Sequence, residues 1–167
     1  MMLYIIGIII LILLVGGFII FLKVSKLNDI KKALDICASN INEFLNKKLE
    51  LINILLKDID NKKIKKDFSY SDDFNIYEKE EALFNVSWNI YKYIKDNNIK
   101  KLKDKAKELN VLEENLDGLK DFYNANVLNY NEVFLKKSFN KIFRIFKFGD
   151  YKSFKIRKLE EYEIFKN

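Results

Sequence analysis

The sequence predicts an all-α protein: an N-terminal transmembrane helix that continues into an antiparallel helical bundle of three to four helices. Three observations carry this expectation. Leu3 to Leu22 run for twenty positions without a charged side chain. From Leu27 onward apolar residues recur three and four apart, the spacing that holds one stripe on one face of a helix. The connections between the periodic stretches are short, which favours antiparallel neighbours.

Twenty helical residues at about 1.5 Å each reach about 30 Å, the thickness of a bilayer's hydrocarbon core. A cleaved signal peptide would need a positively charged start, an apolar run of about 7 to 15 residues and a small-residue cleavage site. Here the uncharged Met1 and Met2 precede the run, the run is longer, and Phe21-Leu22-Lys23-Val24 follows. A buried helix apolar all round would need a larger core than a chain of 167 residues offers. The bilayer is thus the expected partner of residues 3–22, and the expected location is the cell membrane, crossed once. Lys23, Lys26, Lys31 and Lys32 follow the run. Because Lys and Arg beside a span tend to stay cytoplasmic, the N-terminus is expected outside and the bundle in the cytoplasm.

The first helix should extend the span without a break to about Asp60. Its stripe is Leu27, Ile30, Leu34, Cys37, Ile41 and Phe44 and then, after a one-residue step, Leu45, Leu49, Ile52, Leu56 and Ile59. Residues 61–73 are polar and aperiodic and are expected to connect. Asn75 with Glu78 three residues on has the form of a capping pair. It opens a second helix with Ile76, Leu83, Phe84, Ser87, Ile90, Tyr91 and Ile94 on one face, ended by Asp96-Asn97-Asn98. A third helix is expected from about Lys100 to Lys137, with Leu102, Leu109, Leu112, Leu116, Leu119, Tyr123, Tyr130 and Val133 on its seam and Lys105 and Asn126 as polar entries. The chain so divides into a transmembrane helix, 1–22, a bundle, 23–137, and a basic aromatic C-terminal segment, 138–167.

Composition removes most chemistry. The chain has no His, which takes away the usual general base, the usual zinc ligand and the Ser/His and Cys/His nucleophile pairs. The lone Cys37, between Ile36 and Ala38, is expected to be a small buried helix residue. Asp58-Ile59-Asp60-Asn61 lacks the spacing and closing Glu of a calcium loop, and no Gly-rich phosphate loop is present. The adjacent acids Glu80-Glu81 and Glu113-Glu114 point to different sides of a helix and are expected to be solvated. No catalytic residue, metal or cofactor is expected, and the protein is not expected to be an enzyme.

The stretch FYNANVLNYN at 122–131 resembles the LemA family of bacterial membrane-anchored helical proteins, whose pattern here is Tyr-Asn-x-x-Val-x-x-Tyr-Asn, met by Tyr123, Asn124, Val127, Tyr130 and Asn131. Beyond it the family tends to show Phe-Pro-x-Asn-x-Ile-Ala and then Phe-Gly-Phe. This chain keeps Asn140, Ile142, Phe146 and Phe148, but has Lys137 and Ser138 for the Phe-Pro and Lys147 for the Gly. Leu45, Lys47, Lys48, Glu50, Leu51, Ile52 and Leu55 are similar to the family's first long helix, and Leu27, Ile30, Leu34, Asp35, Ser39 and Ile41 also fit. The likeness covers roughly 27–55 and 107–154, with a shortened middle. It implies a membrane-tethered antiparallel bundle of about four helices with no established activity.

Tyr123, Val127, Tyr130 and Phe134 are spaced four, three and four, so they share a helix face that Asn124 and Asn131 border. Asn is a poor helix former, so two in register point to amides with partners: a polar clamp that fixes bundle register, or else a ligand or peptide groove. If Asn131 is a clamp, Asn131→Ala should lower the melting temperature. Between Lys136 and Lys158 nine basic residues stand against Asp150 alone, interleaved with aromatics in FNKIFRIFKF. The segment could close the bundle's open end, lie on an anionic membrane surface, or dock an acidic partner; nucleic acid is disfavoured because no known fold signature accompanies the charge. With the second helix returning toward the membrane and the third climbing again, Phe139–Phe148 is expected at the bundle's far end. Its Phe face would pack inward, with Lys141, Arg144 and Lys147 presented outward to a partner. The function this supports is a membrane-anchored interaction or scaffold module for a protein partner, homo-oligomerisation remaining open. The alternative is a membrane-tethered sensor that binds a small ligand or peptide and signals through its continuous first helix.

Overall fold

The computed structural model describes residues 1–59, 64, 65, 68, 70–136 and 139–156. Among them the regular structure is helical throughout: α1 (Met2–Asp58), α2 (Ile76–Asp96), α3 (Lys103–Phe134) and α4 (Asn140–Ile145), with a 3₁₀ turn at Lys100–Leu102 leading into α3. The all-α bundle is as the sequence predicts, and α1 is unbroken from its apolar start. The most apolar stretch of α1 has a mean hydropathy of 3.3 and none of it is buried, so this helix is long and apolar enough to cross a membrane. α3 ends at Phe134, with Leu135 and Lys136 already outside the helix, which corrects its expected limit at about Lys137.

Each long helix buries a seam with spacings of three and four. The seam that runs from the 3₁₀ turn through α3 is Leu102, Ala106, Leu109, Glu113, Leu116, Lys120, Tyr123, Val127, Tyr130 and Phe134. In α1 they run Leu34, Cys37, Ile41, Leu45, Lys48, Ile52, Leu55 and Ile59, and in α2 Glu80, Leu83, Ser87, Ile90 and Ile94. This is the heptad pattern of coiled-coil packing, in which every third or fourth side chain enters a hole on the facing helix. The one-residue step expected at Phe44–Leu45 is present, as the two successive spacings of four from Cys37 to Ile41 to Leu45, but the residue expected after it is corrected. Leu45 is buried where unbroken alternation would bury Phe44, which is half-buried, and beyond it Lys48 holds the seam position that Leu49 was expected to take, Leu49 being half-buried.

Three contacts fix how α3 lies on α1: Asp58 with Lys105, Lys48 with Glu113, and the Cys37 thiol with the Leu119 carbonyl. As numbers fall along α1 they rise along α3, so the two are antiparallel. α2 is also antiparallel to α3, through Glu80 with Lys120 and the paired hydroxyls of Tyr77 and Tyr123. Hence α1 and α2 run in the same direction, which corrects the expected up-down-up order. The seventeen residues from Ile59 through Asn75 can stretch to about 55 Å at about 3.3 Å each, longer than the ~32 Å of α2. The connection is long enough to run back along the bundle before α2 begins. Its described part is not plain coil: Ile64 is helical and buried, and Phe68, Tyr70 and Phe74 form a chain of rings with centroids 6.2 and 6.1 Å apart. Residues 60–63, 66, 67 and 69 of the expected connector lie outside the described residues.

Local signals at the helix ends behave as expected. Asn75 Oδ1 accepts from the Tyr77 and Glu78 amides at 3.0 and 3.2 Å, and Glu78 Oε2 accepts from the Asn75 amide at 2.8 Å, a complete capping box. At the other end of α2, Asn98 takes a left-handed φ of 46° and donates its amide to Lys95, while the Ile99 amide donates to the Ile94 carbonyl. These are the two bonds of a Schellman motif, and Asn is among the few residues that accept its left-handed position. α4 ends the same way, with Lys147 donating to Arg144 and Phe148 to Phe143, except that the left-handed residue is Lys147, at φ 60°. Its Cβ makes that conformation costly. Because Lys147 is exposed, Lys147→Gly should raise stability by about 1 kcal/mol in denaturant titration.

The chain forms two compact units. The first gathers Met1–Ile36 with Asn124–Ser153; the second gathers Cys37–Tyr123 with Phe154–Asn167, of which residues through 156 are described. This partition cuts across the expected division at residues 22 and 137.

Candidate functional site

In the second unit the seams carry charge. Lys48 forms an ion pair with Glu113, and both side chains are almost wholly buried. Lys120, equally buried, reaches Glu80 at 3.0 Å and Asp117 at 2.6 Å. Burial alone would push the Lys120 ammonium down, but the Glu80 charge and the Asp117 hydrogen bond outweigh it and hold the group above the ordinary lysine value. The expectation that Glu80-Glu81 and Glu113-Glu114 are solvated is therefore corrected for one member of each pair. Neighbours on a helix do point to different sides, and the side taken by Glu80 and Glu113 is the seam. Glu81 and Glu114 stay exposed.

Cys37 is buried as expected; burial pushes its thiol up and keeps it protonated and unreactive. Among the described residues no three His, Cys, Asp or Glu side chains come together as metal ligands would. A groove of about 400 Å3 lies along α2, lined by Phe74, Ala82 and Val86 with Glu78, Asn85 and Asn89 among its polar groups.

The Tyr/Asn motif divides between the units. Tyr123 belongs to the second, where its hydroxyl lies 3.1 Å from that of Tyr77 and its ring packs edge-on against Phe154, 5.1 Å between centroids. Asn124, Val127, Tyr130 and Asn131 belong to the first. Val127 and Tyr130 are buried, and the two Asn are half-buried. Tyr130 centres an aromatic cluster, with centroids 5.7 Å from Phe134, 6.5 Å from Phe148 and 4.9 Å from Tyr151.

Burial, with Tyr151 and Asp150 nearby, pushes the Tyr130 hydroxyl from the ordinary value of about 10 to about 12, against the opposing Gly149 amide. Below pH 10 this group adds no pH dependence. Between about 10 and about 12 the unfolded chain releases the Tyr130 proton while the folded chain keeps it, so folding weakens as pH rises. Tyr130→Phe should lose less stability than the parent across that window, measured by chemical denaturation at successive pH values.

Asn131 Oδ1 is buried and has no hydrogen-bond partner among the described residues. The amide expected to be clamped thus has a buried oxygen that no donor among the described residues reaches. Its removal should relieve a desolvation cost, and Ala is the better helix former, so Asn131→Ala should leave the melting temperature unchanged or raise it. A clear fall would restore the clamp.

The C-terminal segment departs most from expectation. Phe143 is fully buried and Phe148 nearly so, whereas Phe146 is 53% exposed and Ile145 78%. Helical spacing placed Phe146 on the buried face, but α4 is only six residues long and the turn at Lys147 redirects the chain, giving that place to Phe148. Lys141, Arg144 and Lys147 are exposed, as expected, with the Arg144 guanidinium donating to Asn140 at 2.9 Å. Their expected location at the far end of the bundle is corrected. The segment lies in the unit that holds Met1–Ile36, because α3 runs toward the start of α1 rather than away from it. No family model, curated protein or solved structure matches the chain.

Proposed function

We propose that the chain is a single-pass membrane protein of the LemA type whose cytoplasmic helical bundle is a non-catalytic interaction or scaffold module for a protein partner. One observation carries the membrane part of this reading. Between Leu3 and Leu22, α1 exposes sixteen large hydrophobic side chains on every side, each worth about 1.5–3 kcal/mol if buried. The same helix runs on into a well-packed seam. A lipid environment accounts for both halves; water accounts only for the second. Lys23, Lys26, Lys31 and Lys32 favour a cytoplasmic bundle. The interaction role draws support from a core filled by packing side chains and internally paired charges.

Fusions at Asn167 test the reading in cells. A fluorescent-protein fusion should glow from the membrane fraction while an alkaline phosphatase fusion stays silent. Phosphatase activity would reverse the orientation, and release of the chain by alkaline carbonate would overturn the span. The groove along α2, together with the unbroken α1, favours the sensor as a second reading. A metabolite that raises the melting temperature of the detergent-solubilised chain, and loses that effect in Asn85→Ala or Asn89→Ala, would put it first.

A further inference from the structure

We propose that the exposed side of α4 and its closing turn, formed by Lys141, Arg144, Ile145, Phe146 and Lys147, is a membrane-binding surface that rests on an anionic leaflet. The inference deepens the anchoring reading and rests on α1 spanning a bilayer. Charge is the first support. Residues 1–36 and 124–153 hold ten Lys and Arg against four Asp and Glu, which is the whole +6 of the chain; the remaining twenty basic and twenty acidic residues cancel. The unit that contains the apolar start of α1 therefore carries the entire positive surplus.

Geometry is the second. Ile145 and Phe146 are adjacent, largely exposed, and held in place by a turn whose amides are bonded to Phe143 and Arg144. Phe148 fills the buried place behind them. An apolar tip fixed outward and flanked by Lys141, Arg144 and Lys147 has the composition of an interfacial anchor, in which apolar side chains enter the acyl boundary while cations meet lipid phosphates. Such attraction fades over about 8–10 Å at physiological salt, so it needs a surface held close. Here the same compact unit supplies the span, and Lys23, Lys26, Lys31 and Lys32 border that span. Once α1 is inserted, the leaflet stands at high effective concentration beside the tip. An acidic protein would have to arrive from solution.

The test uses the full chain in lipid nanodiscs. An environment-sensitive fluorophore is placed at Phe146→Cys, and separately at Ile145→Cys, in a Cys37→Ala background, with Asn53→Cys in the second unit as the comparison site. In discs containing phosphatidylglycerol the label at 145 or 146 should shift to the blue and be quenched by brominated lipid. In pure phosphatidylcholine discs, or after Lys141→Gln, Arg144→Gln and Lys147→Gln together, the shift should shrink, with helicity unchanged, while the label at position 53 stays aqueous throughout. A chain that co-purifies with discs but keeps both labels aqueous would overturn the lipid-binding surface and leave the span standing. An equal shift in both lipids would overturn its anionic preference. A chain that does not co-purify with discs would remove the span and this surface together.

Discussion

Replacing Lys120 by methionine should lower stability by about 3–5 kcal/mol, a large part of the ~5–15 kcal/mol that holds a typical domain folded. The reason is what the substitution leaves behind rather than what it removes. Glu80, almost wholly buried, would lose its cation, and Asp117 would lose the ammonium now 2.6 Å away. A carboxylate stranded in the buried seam must either stay charged in a poor solvent or take up a proton. The double variant Glu80→Leu with Lys120→Met separates these causes, because it empties both seam positions of charge. It should recover most of the loss, since apolar replacement of a complete buried pair is often neutral or stabilising. Denaturant titration in a fixed detergent reads both. If Lys120→Met alone cost under about 1 kcal/mol, the pair would be no better than a surface one.

These charges also mark where the sequence stops being legible. The helices, the capping box at Asn75 and Glu78, and the end of α2 at Asn97-Asn98 are local events, and local residues announce them. Lys48, Glu80, Glu113 and Lys120 are different. A reader tracking apolar residues passes over them and puts Leu49 where the seam has Lys48. Spacings of three and four could have revealed them: Lys48 lies three after Leu45 and four before Ile52, and Lys120 four after Leu116 and three before Tyr123. That they pair, Lys48 with Glu113 and Glu80 with Lys120, depends on which helices face each other. The course of the chain from Ile59 to Asn75 decides that, and its length permits either direction for α2. An error in that direction carried the basic segment to the wrong end of the bundle. The Tyr/Asn motif was legible as a buried face, but the Asn131 oxygen that finds no partner among the described residues was not, since a sequence shows a capacity to bond and not the bond.

Opposite charges at seam positions also give the bundle a register. Sliding α3 by one heptad along α1 would still oppose apolar residues to apolar residues, but it would bury Lys48 and Glu113 apart. That mismatch is what a polar seam residue uses to reject a wrong alignment. Lys120 with Glu80 does the same for α2, so the two pairs hold both neighbours of α3.

Phe143 and Phe146 look alike in the sequence, one turn apart in FNKIFRIFKF, yet their substitutions should differ several-fold. Phe143 is fully buried, its ring 6.4 Å from Phe134, 5.9 Å from Phe139 and 6.2 Å from Phe148. Truncation to alanine leaves a cavity that a six-residue helix closed by a Schellman turn has few ways to fill, and the loss should be about 3–5 kcal/mol. It also removes the Phe143–Phe148 contact that accompanies the turn, so amides across 139–148 should exchange faster with solvent. Phe146→Ala removes an exposed ring and should change stability by no more than about 0.5 kcal/mol. Hydrogen exchange and denaturant titration on the two variants measure the difference. Equal losses would mean that α4 continues through Lys147 with Phe146 on the buried face, returning the segment to the arrangement helical spacing predicts. If the losses divide as expected, Phe146 is free to be exchanged without disturbing the fold, and any change it causes at a membrane reports on lipid.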